Sequence, residues 1–85
     1  MTRVKLYTTT YCHYCKSAKA LLNSKGIAFE EIDVTEDDKT REWLVNETGL
    51  KTVPQIFIDG KSIGGFDNLS KLNEEGKIDH LKAPI

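Results

Sequence analysis

The sequence has little of what would mark a secreted, membrane-bound or nucleic-acid-binding protein. Only two cysteines occur in 85 residues, Cys12 and Cys15. A bridge between them closes a tiny loop and removes little unfolded-state entropy, so a structural staple is a poor explanation, and a reducing compartment keeps such a pair as thiols. There is no second cysteine pair to complete a tetrahedral zinc site. His13 projects around a helix from both sulfurs and His80 lies in the C-terminal tail, so no bound metal is expected. No apolar run approaches the length of a membrane span, and the opening Met-Thr-Arg-Val-Lys-Leu-Tyr-Thr is too polar for the apolar segment of a signal peptide. A cytoplasmic protein is the expectation. Charge of one sign is lacking too: 12 basic residues face 13 acidic ones, for a net charge of -1. No basic field exists for nucleic acid or an acidic membrane, and neither is an expected partner. Repeats, linkers and low-complexity tracts are absent, so residues 1–85 are expected to form a single domain working as a monomer. A chain this short buries only roughly 60 to 65% of the surface exposed when unfolded, so any site is expected to be a surface groove rather than an internal cavity.

What is present is a regular alternation of strands and helices. Arg3–Thr8 places Val4 and Leu6 on one face and Lys5 and Tyr7 on the other, the period of a strand. A helix follows over Tyr14–Lys25, beginning within Cys-His-Tyr-Cys, with Ala18, Leu21 and Leu22 at helical spacing and Gly26 at its end. Phe29–Val34 reads as a second strand, parallel to the first. Thr35, Glu36, Asp37 and Asp38 put a capping hydroxyl and carboxylates at the start of a helix running from about Asp37 to Thr48, with Trp43 and Leu44 facing inward and Gly49 as its stop. Gln55–Ile58 and Lys61–Ile63 flank Asp59-Gly60, a strong hairpin signal. Asp67 is expected to cap a last helix carrying Leu69 and Leu72, followed by Gly76 and a tail with Ile78 and Leu81. The order βαβαββα describes an α/β fold with a four-stranded mixed sheet flanked by helices.

The chemistry-bearing feature is the strand, Cys-x-x-Cys, helix order. A helix that opens at Cys12 aims its free amide groups and partial positive charge at that sulfur, which favours thiolate over thiol. Cys12 is therefore expected to be the nucleophile. Cys15 lies one turn deeper and less exposed, in reach of a mixed disulfide formed on Cys12, which makes it the expected resolving thiol.

Three motifs extend this reading to most of the chain. Tyr-Cys-His-Tyr-Cys-Lys resembles the Cys-x-Tyr-Cys site of the glutaredoxins, Thr52-Val53-Pro54 resembles their Thr-Val-Pro segment, and Ile63-Gly64-Gly65-Phe66-Asp67-Asn68 resembles their glycine-rich turn. The resemblance implies a thioredoxin fold and a glutathione-dependent dithiol-disulfide oxidoreductase. It implies glutathione as co-substrate with no tightly bound cofactor, disulfide-containing or glutathionylated proteins as partners, and a part in electron transport and cell redox homeostasis. It further implies a cis Pro54 facing the thiols, with the Val53 backbone pairing the cysteinyl part of glutathione beside Thr52. Tyr14 walls the groove, and Gly65, Asp67 and Asn68 take the γ-glutamyl end. Gly64 and Gly65 serve either a close backbone approach or only a tight turn. Two alternatives stand beside this reading: a donor recharged by thioredoxin reductase, and a dimer holding an iron-sulfur cluster through Cys12 and two glutathiones.

The chain departs from the family pattern twice. A lysine common three residues before the first cysteine is Thr9 here, so another cation must meet the glycine carboxylate of glutathione. Arg41 is the leading candidate, ahead of Lys51 and Lys16, although it also reads as an ordinary solvated position on a helix. His13 stands where proline is common, which removes a rigid ring from the turn between the cysteines.

Overall fold

The computed structural model describes residues 3–81; Met1 and Thr2 of the polar N-terminal stretch, and the last four residues, lie outside the described part. Its elements are β1 (Val4–Thr8), α1 (His13–Ser24), β2 (Glu30–Asp33), α2 (Asp38–Thr48), β3 (Gln55–Ile58), β4 (Lys61–Gly64) and α3 (Phe66–Glu74), with a short 3₁₀ turn at Asp79–Leu81. The expected order βαβαββα holds, and the tail adds only that turn. No described helix is long and apolar enough to cross a membrane.

The four strands form one sheet in the order β2-β1-β3-β4. β1 runs parallel to β2, with Leu6 opposite Glu31, and antiparallel to β3, with Leu6 opposite Ile56. β3 and β4 pair antiparallel through the Asp59-Gly60 hairpin, both of whose residues have positive φ, at 52° and 82°. That is the backbone a two-residue turn needs to match the twist of its strands.

Strand alternation splits the apolar residues between two faces. On one face Val4, Leu6 and Ile56 pack against Ala18 and Leu22 of α1, Leu69 of α3, and Ile27 and Ile78. On the other, Tyr7 and Val34 meet Leu44 of α2, with Phe57 and Val53 at the margin. α1 and α3 end alike. After α1, Gly26 N–H bonds to Asn23 C=O and Ile27 N–H to Leu22 C=O; after α3, Gly76 and Lys77 do the same to Asn73 and Leu72. This paired closure satisfies the orphan carbonyls of a helix end and turns the following chain back onto the core, which is how Ile27 and Ile78 come to be buried.

Three expectations are corrected. Thr35 does not cap α2: its hydroxyl donates to Asp33 and accepts the Thr10 N–H, and the cap is Asp37, whose carboxylate accepts the Thr40 N–H at 3.1 Å and hydroxyl at 2.6 Å. Trp43 does not face inward beside Leu44. It is 43% exposed, because neighbouring helix positions diverge by about 100° and only Leu44 reaches the sheet. The Trp43 ring instead lies over Phe57, 6.0 Å away at 23°, and beside Tyr7. Asp67 is not the cap of α3 either; Gly65 occupies that position without a side-chain bond, and Asp67 sits in the first turn.

Candidate active site

The C-terminal end of β1 delivers the chain to the start of α1, where Cys12 occupies the N-cap position with extended backbone (φ -94°, ψ 118°). Serine or aspartate normally fills this place, accepting an N–H of the first turn. Here a sulfur does it: Cys12 Sγ accepts the Cys15 N–H at 3.0 Å. The Cys12 thiol also donates to the Val53 carbonyl, 3.5 Å away on the segment before β3. No acidic residue lies in the first turn of α1, so nothing there opposes negative charge on the sulfur.

Cys15 stands apart from Cys12 in both access and charge. Cys12 is half-exposed, whereas Cys15 is 1% exposed under the first turn of the helix. Burial, first, and its hydrogen bond with Cys12 push the Cys15 thiol up to about 12, while a backbone hydrogen bond from Thr9 and the Lys19 ammonium pull the other way.

A surface groove of about 440 Å³ adjoins the pair through Tyr14 and Val53, although neither sulfur lines it. Tyr14, 62% exposed, forms one wall with its ring stacked on Phe66 at 6.2 Å. Thr52, Val53 and Pro54 form the floor, and the Val53–Pro54 bond is cis. Gly65, Asp67 and Asn68 line the far end. The two alternatives for the glycines resolve differently. Gly64 has φ 104°, and a Cβ there would lie 2.6 Å from the Asn68 side-chain nitrogen, so its bareness makes room for Asn68. Gly65 has negative φ, and a Cβ there would sit 3.4 Å from the Pro54 carbonyl, at van der Waals contact, so its backbone lies against that segment without a clash that demands glycine.

Arg41 is not in this groove. It lines an adjoining depression of about 250 Å³ with Lys51, and the two hollows share Leu50, Thr52 and Val53 as a common rim. Thr9 is 5% exposed and lines neither hollow; its hydroxyl is buried without a hydrogen-bond partner. Leu50 and Phe66 are groove residues that sequence reasoning missed. Each follows a glycine that ends or begins a helix, but nothing local says that the next side chain turns toward the thiols. Another depression, about 450 Å³, lies among Trp43, Phe57 and Lys5 towards the start of β1, and neither thiol lines it. No group of three or more His, Cys, Asp or Glu suited to a metal occurs among the described residues.

A half-exposed thiol at a helix N-cap, a buried thiol one turn on, and a groove floored by a cis-proline segment define a dithiol protein of the thioredoxin fold. The family model for glutaredoxin matches residues 4–63. Glutaredoxin 3 of Escherichia coli K12 is 46% identical over 81 residues, which cover 95% of this chain and 98% of that protein. Among solved structures, a buckwheat glutaredoxin-glutathione complex superposes with a TM-score of 0.88 at 30% identity, over 95% of this chain and 82% of the other. The solution structure of the Brucella melitensis glutaredoxin gives 0.83 at 43% identity, over 100% and 96%. The chain belongs to the glutaredoxin family, and its activity is that of a glutathione-dependent dithiol-disulfide oxidoreductase.

Proposed function

We propose that Cys12 is the nucleophile, Cys15 the resolving thiol, and the groove beside them the seat of glutathione. The observation that carries this reading is Cys12 Sγ held between the Cys15 N–H and the carbonyl of Val53, a residue that itself lines the open groove. The Cys12 thiolate attacks one sulfur of a substrate disulfide; a new mixed disulfide forms on Cys12 and the other sulfur leaves as a thiolate, taking a proton from water. A glutathione thiolate, or Cys15, then displaces the bound half. With glutathione in place, the Val53 backbone pairs its cysteinyl unit as an added strand would, between Tyr14, Thr52 and Pro54. The Asp67 carboxylate meets the γ-glutamyl ammonium, and the amides at the start of α3, with Gly65 and Asn68, meet its carboxylate. Arg41 reaches over the shared rim to the glycine carboxylate.

Glutathione serves as co-substrate in this scheme, without a tightly bound cofactor, and the partners are proteins carrying disulfides or glutathione adducts. We infer a monomer, working in electron transport for redox homeostasis in the cytoplasm. The two thiols are separated by measuring two reactions on two variants. Cys12→Ser is expected to lose both deglutathionylation and protein-disulfide reduction, because a serine hydroxyl stays protonated. Cys15→Ser is expected to keep deglutathionylation, which needs only Cys12 and a second glutathione, and to lose most of its protein-disulfide reduction. Activity of Cys12→Ser in either assay, or a Cys15→Ser protein dead in both, overturns the assignment.

A further inference from the structure

The resolving step poses a problem that the groove does not solve. Cys15 must act as a thiolate, yet it is buried at 1% exposure and hydrogen-bonded to the Cys12 thiol, and both conditions favour the protonated form. The help available comes from the next turn of α1. Lys19 lies four residues after Cys15, hence on the same face one turn along. Its side chain is fixed in place: Nζ is 2.9 Å from Glu31 Oε2 on β2, and the same oxygen accepts the Thr8 hydroxyl at 2.8 Å from the 1%-exposed end of β1. The clamp therefore spans three elements, with one anchor in the core, and it fixes the ammonium on β2 one helical turn along from Cys15.

We propose that Lys19, held by Glu31 and Thr8, is a positioning residue for disulfide resolution, stabilising the Cys15 thiolate as it attacks the mixed disulfide on Cys12. This inference rests on Cys15 being the resolving thiol. In the step concerned, the Cys15 proton passes to water, the Cys12–Cys15 bond forms, and the bond between Cys12 and the substrate sulfur breaks, its electron pair leaving on the substrate thiolate. The pair of cysteines is oxidised and the substrate disulfide reduced; glutathione, the reductant of the established activity, restores both thiols. The charged groups acting at Cys15 are the Cys12 sulfur, which opposes its ionisation, and Lys19, which favours it. Behind Lys19 stand Glu31 on β2 and Asp33, whose charge acts on Glu31. An opposite charge near a thiol favours its ionisation, so removing Lys19 lowers the thiolate fraction of Cys15 at neutral pH.

The test uses reduced protein mixed rapidly with dithiobis(nitrobenzoate), whose thiolate is coloured. Attack by Cys12 releases a first thiolate, and attack by Cys15 on the resulting mixed disulfide releases a second. In Lys19→Met the second phase is expected to slow relative to the first at pH 7, with its pH midpoint moved up, and Lys19→Arg is expected to restore both. A purely structural lysine would leave the pH midpoint where it is. An unchanged second phase in Lys19→Met, equal slowing of both phases with no pH displacement, or an arginine variant as slow as the methionine one overturns the proposal. Cys15→Ser separates the two levels of the argument. If it still releases the second thiolate, the reading of Cys15 fails; if it loses that phase while Lys19→Met keeps the wild-type one, only the role of Lys19 fails.

Discussion

At the scale of single residues, the site is built from groups whose usual work is structural. Cys12 does what a capping serine does elsewhere, and Gly64 gives up a side chain so that Asn68 has somewhere to lie. Arg41 is the residue whose part is least fixed by its surroundings, since it stands in the neighbouring hollow and meets the groove only across Leu50, Thr52 and Val53. Arg41→Ala is expected to raise the apparent KM for glutathione about two- to fivefold, the scale of one solvent-exposed ion pair, with little change in kcat. Glutathione titration of wild type and variant at low and high salt checks it. An unaltered KM moves the contact to Lys51, which lines the same hollow.

At the scale of elements, α2 is held mainly by one side chain. Leu44 is 2% exposed against Tyr7 and Val34, whereas the larger Trp43 stays 43% exposed at the rim. Leu44→Ala is expected to cost about 2–5 kcal/mol and Trp43→Ala less, despite the greater volume lost, because only the first leaves a cavity in the core. Urea unfolding of both variants checks the order, and equal or reversed losses refute it. The same helix shows where reading a sequence succeeds. Strand alternation in Val4–Thr8, the glycine stops at Gly26 and Gly49, and the Asp59-Gly60 turn are local matters, decided by a few neighbouring residues, and each was legible. The cap of α2 was not, because Thr35 is drawn away by Thr10, twenty-five positions earlier in the chain. The site divides in the same way. Cys12, Cys15 and most groove-lining residues from Tyr14 to Asn68 stood in recognisable motifs, whereas the place of Leu50 in the groove, the stacking of Phe66 on Tyr14 and the Thr8-Glu31-Lys19 clamp exist only once distant elements are folded together.

At the scale of the whole molecule, carboxylates are tied down around its surface. Lys19 holds the Glu31 carboxyl below its ordinary range, the Thr35 hydroxyl does so for Asp33, the Thr40 hydroxyl for Asp37, and Arg3 for Asp59. A carboxyl that ionises more easily folded than unfolded adds stability above its unfolded pKa and loses it as the pH falls through the lower, folded value. The urea midpoint is therefore expected to be level from neutrality down to about pH 5 and to fall below about pH 4, with a shallower fall in Glu31→Gln. An acid limb of identical steepness in that variant refutes the contribution of the pair. The cap formed by Cys12 has a consequence of another kind. The sulfur that accepts electrons is also the atom that closes the first turn of α1, so oxidation and reduction change the end of a helix, and the electrode and the calorimeter measure two sides of one thermodynamic cycle. For this two-electron couple about 30 mV corresponds to 1.4 kcal/mol. The gap between the unfolding free energies of the oxidised and reduced forms thus ranks variants of the α1 terminus by reduction potential, without a redox buffer in the cell.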